Sequence, residues 1–212
     1  RFLANQEIPV PEVMGTNKAG DVFAMRYITG TTLLDKLLSE NLTEEDVKSA
    51  SRILRNLHKT MNKSNNLEWI KNNSKTYPLH FPNRIEGFLN RYNSLYRVKN
   101  TTLRDVFIEA KKVLDTNPQY LFWKSAVYGD YKPENIVQTK EGDLVIFDPG
   151  LRLGRVSFDV GKFASRLLLH NASKKLLHSF INEYLTFAEI LTTDREIKHM
   201  AALDMITILS VY

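Results

Sequence analysis

The sequence predicts an α+β fold: a little β structure first, then a mostly helical body with one β insertion. Three observations predict it. Residues 8–30 hold two apolar runs around a turn-forming stretch. From Thr43 onward apolar residues recur at intervals of three and four. That rhythm breaks once, over residues 125–148, for short strand-like runs closed by Gly and Asp.

The first β segment is "IPVPEVMGTNKAGDVFAMRYITG". Its apolar runs are "PEVMG" and "VFAMRYI", and "TNKAGD" between them carries the turn chemistry. The helical body opens at Thr43 in "TEED", a capping-box-like start with Asp46 where Glu or Gln is usual. Val47, Ala50, Leu54 and Leu57 then form one amphipathic face. "NKSNNLEWIKNNSKTYPLHFP" reads as loop with one short helix. Ile85, Phe88, Leu89, Tyr92 and Tyr96 mark a second helix, and Leu103, Val106, Phe107, Ala110 and Val113 a third. In the insertion, "SAVYGD" is a strand, and "NIVQ" and "DLVIFD" form a hairpin around "TKEGD". Val160, Phe163, Ala164, Leu167 and Leu168 mark the next helix, then Leu177 to Ala188 and "REIKHMAALDMITILSVY" two more.

At 212 residues, 43% hydrophobic and 25% charged, the composition is that of a globular protein with a sizeable core. No apolar run reaches the roughly 18 residues of a membrane span. Zero cysteines excludes disulfides and thiolate metal sites and fits a reducing compartment, so a cytoplasmic protein is expected. The net charge of +5 suits an anionic partner such as a nucleotide, or simply a solvated basic surface. No aromatic-interleaved basic patch is present, which argues against nucleic-acid binding.

The chemistry sits in "VYGDYKPENIV" and "LVIFDPG". Asp130 and Asn135 stand five apart after a strand, and Asp148 closes the following hairpin. Phosphoryl transfer needs an Asp beside the acceptor hydroxyl, and an Asn and a second Asp to hold Mg²⁺ across the phosphates. Oxygen donors are the types Mg²⁺ prefers. Alone, each spacing is commonplace; the order of strand, Gly-Asp, Asn, hairpin, Asp carries the reading.

At these residues the chain resembles the aminoglycoside phosphotransferase and choline kinase group, which has a protein-kinase-like fold. Gly154 and Asp159 match the tail of that signature. The resemblance implies Asp130 as catalytic base, Asn135 and Asp148 as Mg²⁺ ligands, and Asp159 as a buried structural acid. It also implies a hinge over Met25 to Gly30, where the Arg26 carbonyl and the Ile28 N–H meet the nucleobase and Met25 lies behind it. Lys132, in "KPEN", is expected to contact the transferred phosphate.

The implied division is residues 1–30 as the end of a small lobe and hinge, and residues 31–212 as a helical lobe with catalytic loop and metal-binding hairpin. The Gly-rich phosphate loop and the strand Lys of the family would lie before Arg1, so the rest of the small lobe is expected to be missing. Tyr128 replaces the family's His. The implied function is transfer of the γ-phosphate of ATP or GTP to a hydroxyl of a small molecule, with Mg²⁺. The alternative is a catalytically silent binding module, or a truncated kinase fragment. A protein substrate fits poorly. Gly129 replaces the Arg that reads an activation-loop phosphate, and the stretch from Asp148 to Asp159 is too short for a peptide-binding segment.

The remaining polar and aromatic residues are expected to be structural. Arg152 and Arg155 read as solvated loop arginines. His58, His80, His170, His178 and His199 show no metal-ligand spacing. Trp69, Trp123, Tyr92 and Tyr96 read as core. Glu183, Glu189, Glu196 and Asp204 read mostly as a solvated helix face, with a cationic substrate's pocket as the alternative.

Overall fold

The computed structural model describes residues 3–16, 18, 23–73, 108, 111–113, 115–117, 125–186 and 192–209. The expected helix at 85–96, together with His80, Trp123 and Glu189, lies outside these residues; of the expected helix at 103–113, residues 108 and 111–113 are described and are helical.

Strands β1 (Val13–Thr16) and β2 (Phe23–Met25) form an antiparallel ribbon with Val13 opposite Met25 and an irregularity before Gly15. This is the ribbon the turn chemistry predicted. Gly30 does more than end that segment. It opens β3 (Gly30–Thr32), which pairs with β5 (Ile136–Thr139), itself paired with β6 (Leu144–Ile146). The predicted hairpin thus gains a third strand from over a hundred residues upstream. Strand β4 (Ser125–Val127) pairs with β7 (Arg152–Gly154), a partner the sequence did not reveal.

Helix α1 (Leu33–Leu38) follows β3 directly. Its N-cap Thr32 accepts from the Asp35 N–H, which ends the strand and starts the helix in one residue. Helix α2 (Glu44–Met61) starts in the predicted capping box. The Thr43 hydroxyl accepts from Asp46 N, and Thr43 N donates to Asp46 at 2.9 Å. Val47, Ala50, Leu54 and Leu57 are all fully buried, as their spacing required. Helices α3 (Ser64–Asn73), α4 (Val156–Leu169), α5 (Lys174–Leu185) and α6 (Asp194–Leu209) complete the described body. The core joins the α2 face to Ile136 and Ile146 of the hairpin, to Val160, Phe163 and Leu167 of α4, and to Phe180 and Tyr184 of α5. The Phe163 and Phe180 rings stack at 4.0 Å.

Helix α6 packs on α4 closely because Gly161 has no side chain. A Cβ there would lie 2.6 Å from Met200 Cβ and 2.8 Å from Ala201 N. Around this contact the polar residues pair. Ser157 donates to Glu196 at 2.5 Å, Arg155 Nη2 donates to Glu196 at 2.9 Å, and Ser165 donates to Asp204 at 2.6 Å. Glu196 is 6% and Asp204 4% exposed. The expected solvated acidic face is therefore wrong for both, and Arg155 is no free loop arginine. These acids are buried because α4 supplies their donors, a pairing that helix periodicity alone does not encode. Glu183 lies between the two readings, half-buried beside Arg52 and Arg55. Trp69 also departs from expectation: it is 43% exposed rather than in the core.

Asp46 binds more than its own helix. Its buried carboxylate accepts from Lys36 Nζ at 2.6 Å and from Gln138 Nε2 at 3.1 Å, so one side chain ties α1, the α2 cap and β5. Burial pushes its pKa up, but the Lys36 and Thr43 hydrogen bonds outweigh this and hold it below the ordinary carboxylate value. A depressed folded pKa contributes stability above the unfolded value of about 3.9 and loses it as pH falls through the folded value. Asp46→Asn should lower the melting temperature at pH 7 and flatten its dependence on pH in the acid range. Equal acid limbs for variant and parent would refute the assignment. Gly161→Ala should cost about 1–3 kcal/mol in denaturant unfolding, the usual penalty for overpacking a close contact.

Candidate active site

The loop after β4 is held by its backbone. Tyr128 N donates to Asp159 Oδ2 at 2.6 Å and Gly129 N to Asp159 Oδ1 at 2.8 Å. Asp159 is fully buried in the first turn of α4, as expected of a structural acid. His58 Nε2, from α2, lies 2.9 Å from Asp159 Oδ2, and its Nδ1 lies 2.6 Å from the Tyr184 hydroxyl of α5. A carboxylate only accepts, so Nε2 carries the hydrogen of that bond. His58 is thus structural, as read.

Gly129 is required where it stands. Its φ is +90°, and a Cβ would lie 2.3 Å from Arg152 Nε and 2.6 Å from the Gly150 carbonyl. Arg152 fills that space and donates from Nη2 to Gly129 O at 2.9 Å and from Nε to Gly150 O at 3.2 Å. The expected solvated Arg152 is therefore a brace of the loop. Val127 pairs with Arg152 across β4 and β7, and no local pattern reveals that register.

Asp130 follows. A short turn, Pro133–Asn135, brings Asn135 back so that its Nδ2 donates to Asp130 O and to Asp130 Oδ2, both at 3.0 Å. Lys132 Nζ lies 2.7 Å from Asp130 Oδ2. A residue absent from the sequence reading completes the set: Lys162 Nζ of α4 donates to Asp130 Oδ1 at 2.7 Å. Burial raises the Asp130 pKa, yet the Lys162 and Lys132 ammoniums outweigh it and hold it down to about 2. The available signal was the spacing of three between Asp159 and Lys162, which puts them on one helix face.

Asp148 sits at the same end of the hairpin as Asn135. Phe147 N donates to Asn135 O at 3.0 Å, and Ile136 faces Ile146 in register. Asp148 has φ of +62°, a left-handed turn that Asp tolerates better than most residues, and it is exposed. Tyr128 earns its place here. Its hydroxyl donates to Phe147 O at 2.6 Å, coupling the Asp130 loop to the residue before Asp148. The departure from His removes an imidazole and supplies another link.

These residues fit Mg²⁺. The Asn135 amide nitrogen is spent on Asp130, which leaves its carbonyl oxygen as the acceptor, and no donor among the described residues reaches the Asp148 carboxylate. Among the described residues no three His, Cys, Asp or Glu side chains form a self-sufficient metal site. One carboxylate and one amide, with phosphate and water oxygens, is a donor set Mg²⁺ accepts.

Beside Asp148 lies an open cavity of about 470 Å³ lined by Val10, Val13, Met25, Ile146 and Phe147 among others. It is mostly apolar and within the usual size range of small-ligand sites. Met25, expected behind the nucleobase, and Asp148, expected as a Mg²⁺ ligand, both border this one cavity. Arg26 and Ile28 are not among the residues that line it. Arg26 pairs with Glu12 at 2.8 Å, and the Arg26 carbonyl and Ile28 N–H have no backbone partner among the described residues.

Comparison with known proteins follows the same lines. No curated protein matches the chain. Among solved structures it is similar to a choline/ethanolamine kinase family protein from Mesorhizobium loti (16% identity, TM-score 0.67, all of this chain and 65% of that one). It is also similar to the AMP-bound spectinomycin phosphotransferase (12%, TM-score 0.69, 100% and 71%). A third is an aminoglycoside phosphotransferase from Streptomyces rimosus in complex with ADP and streptomycin (15%, TM-score 0.63, 97% and 78%). The chain spans less than two thirds of the length of the Mesorhizobium protein. The fold is protein-kinase-like. Over residues 1–197 the sequence matches the family described as the phosphotransferase enzyme family, and to that family this chain belongs.

Proposed function

We propose that the protein transfers the γ-phosphate of ATP or GTP to a hydroxyl of a small molecule. One observation carries the reading: the Asp130 carboxylate is held on both oxygens, at the hairpin end that also bears Asn135 and Asp148. Residues 1–30 are then the end of the nucleotide-binding lobe and its hinge, and residues 31–212 the catalytic lobe. Structural neighbours solved with AMP or ADP support a nucleotide donor. Neighbours named for choline, ethanolamine, spectinomycin and aminoglycosides support a small acceptor. Among the described residues no helix is long and apolar enough to cross a membrane, and a cytoplasmic site of action is part of the proposal.

The roles follow from the chemistry of each group. The purine lies in the apolar cavity beside Met25, and the Arg26 carbonyl and Ile28 N–H, without backbone partners among the described residues, would be its hinge partners. Asn135 and Asp148 would hold Mg²⁺, which when bound draws charge off the phosphate oxygens. With a pKa of about 2, Asp130 is an anion at any working pH and too weak a base to deprotonate a resting alcohol. It orients the acceptor hydroxyl and takes its proton as the new P–O bond forms and the bond to the nucleoside diphosphate breaks. A loose transition state asks for this order, because the hydroxyl acidifies only late. Lys132 lies on Asp130 Oδ2, within the loop, where it can follow the transferred phosphoryl group.

ADP release from MgATP, run over a panel of amino alcohols and aminoglycosides, should reveal the acceptor. Asp130→Asn should then lower kcat by about 10²–10⁴, the usual worth of a positioned acid–base group. Nucleotide affinity should be unchanged. Turnover by that variant at the parent's rate would sink the role given to Asp130. Asp148→Asn should weaken nucleotide binding in Mg²⁺ while leaving metal-free binding nearly as it was. Isothermal calorimetry with and without the metal separates the two, and equal losses in both conditions would remove Asp148 from the metal site.

A further inference from the structure

We propose that Lys162 is a positioning residue of the phosphotransfer site: it clamps Asp130 Oδ1 from α4 and so fixes the carboxylate plane that receives the acceptor hydroxyl. The proposal rests on the kinase reading of the preceding subsection. Neither the motif nor the spacing that suggests a kinase includes this lysine.

The geometry is specific. One face of α4 carries Asp159, Lys162 and Arg166, spaced at three and four, and all three reach the catalytic loop. Asp159 takes the backbone N–H groups of Tyr128 and Gly129. Lys162 takes the Asp130 side chain at 2.7 Å, and Arg166 Nε lies 3.4 Å from Glu134 in the turn before Asn135. A single rigid element thus holds the loop's backbone and its carboxylate by hydrogen bonds and places a guanidinium beside its following turn.

Lys162 is itself well placed to act as a fixed group. Its side chain is only 13% exposed, and its ammonium lies 5.4 Å from the centroid of the Phe158 ring, one helical turn back. Cation–ring attraction and burial of the stem both restrict where that ammonium can sit.

The lone pairs of Asp130 show what the clamp leaves open. A carboxylate has about four acceptor sites. Among the described residues Oδ2 receives Lys132 and Asn135, whereas Oδ1 receives Lys162 alone. The free site is therefore on Oδ1, beside the Lys162 ammonium, and there the acceptor hydroxyl donates. Without Lys162, Oδ1 loses its restraint and the carboxylate can turn about its Cβ–Cγ bond on the Oδ2 side. Catalysis by positioning is sensitive to such freedom, since a displacement of about 1 Å can cost about 10²-fold.

The test uses the full-length protein and ADP release from MgATP, with water in the acceptor's place and then with the acceptor that the panel identifies. Lys162→Met keeps the stem against Phe158 and removes the ammonium; Lys162→Arg keeps a cation. The methionine variant should lose about tenfold to 100-fold in kcat with KM for MgATP within twofold of the parent, and its melting temperature should stay close to the parent's. The arginine variant should recover most of that loss. A methionine variant with parental kcat, or an arginine variant as impaired as the methionine one, would overturn the role of Lys162 while leaving the kinase reading standing. A methionine variant that does not fold, paired with an arginine variant that folds but stays impaired, overturns it equally. A parent that neither binds nor turns over MgATP would overturn both.

Discussion

The active loop hangs on one buried carboxylate. Asp159 accepts from two consecutive backbone N–H groups and lies within hydrogen-bond distance of His58 Nε2, with no exposure to solvent. Taking a carboxylate out of water costs several kcal/mol unless its lone pairs are satisfied. Three donors meet that condition, and each comes from a different requirement of the fold. The two N–H groups belong to the residues that turn the chain at the end of β4. They would be orphaned inside the protein without Asp159, because a left-handed Gly129 cannot pair them in a sheet. His58 brings α2, and through the Tyr184 hydroxyl it brings α5. Removing Asp159 would leave two buried donors and an imidazole without an acceptor at once, so the loop and three helices depend on it together.

Asp130, one residue beyond this anchor, has the opposite environment. It is partly exposed and faces two ammoniums, so it stays charged into strong acid. Two acids that meet at this loop thus differ by surroundings: Asp159, on α4, accepts from the loop backbone, and Asp130, in the loop, faces two ammoniums. Tyr128 sits between them. Burial raises its phenol pKa far beyond the working range, with Asp159, Asp148 and Asp130 adding to the shift. Its hydroxyl therefore donates to the Phe147 carbonyl at any working pH. The link between this loop and the hairpin is therefore insensitive to pH.

Much of this was legible in the sequence, and the reasons are local ones. The α2 face and the capping box at Thr43 follow from side-chain period and from hydrogen bonds spanning three residues. The hairpin around "TKEGD" follows from turn chemistry. The order Asp130, Asn135, Asp148 is legible because the loop and hairpin bring these residues together through short connections. What failed is long-range. The β4–β7 register that puts Arg152 under Gly129, the β3–β5 pairing, and the donors that α4 extends to Glu196 and Asp204 all join residues 23 to 109 positions apart. A charged residue on a helix reads as solvated until its partner is known. Lys162 escaped notice for the same reason, although its spacing from Asp159 was in plain view.

That spacing also explains how a loop side chain can be held still. Loops supply reactive groups because they are free of ladder hydrogen bonds, and that freedom makes them poor at holding an atom still. Here the fixing is delegated to a helix. Along α4 each residue advances about 1.5 Å, so Asp159 and Lys162 are separated by about 4.5 Å of rigid rise. A backbone contact and a side-chain contact to adjacent loop residues match that separation. Gly161, between them, lets α6 close on the helix from behind. The helix is therefore fixed on its far side by packing and on its near side by the hydrogen bonds of Asp159 and Lys162. The Asp130 carboxylate inherits the stiffness of the core without being part of it.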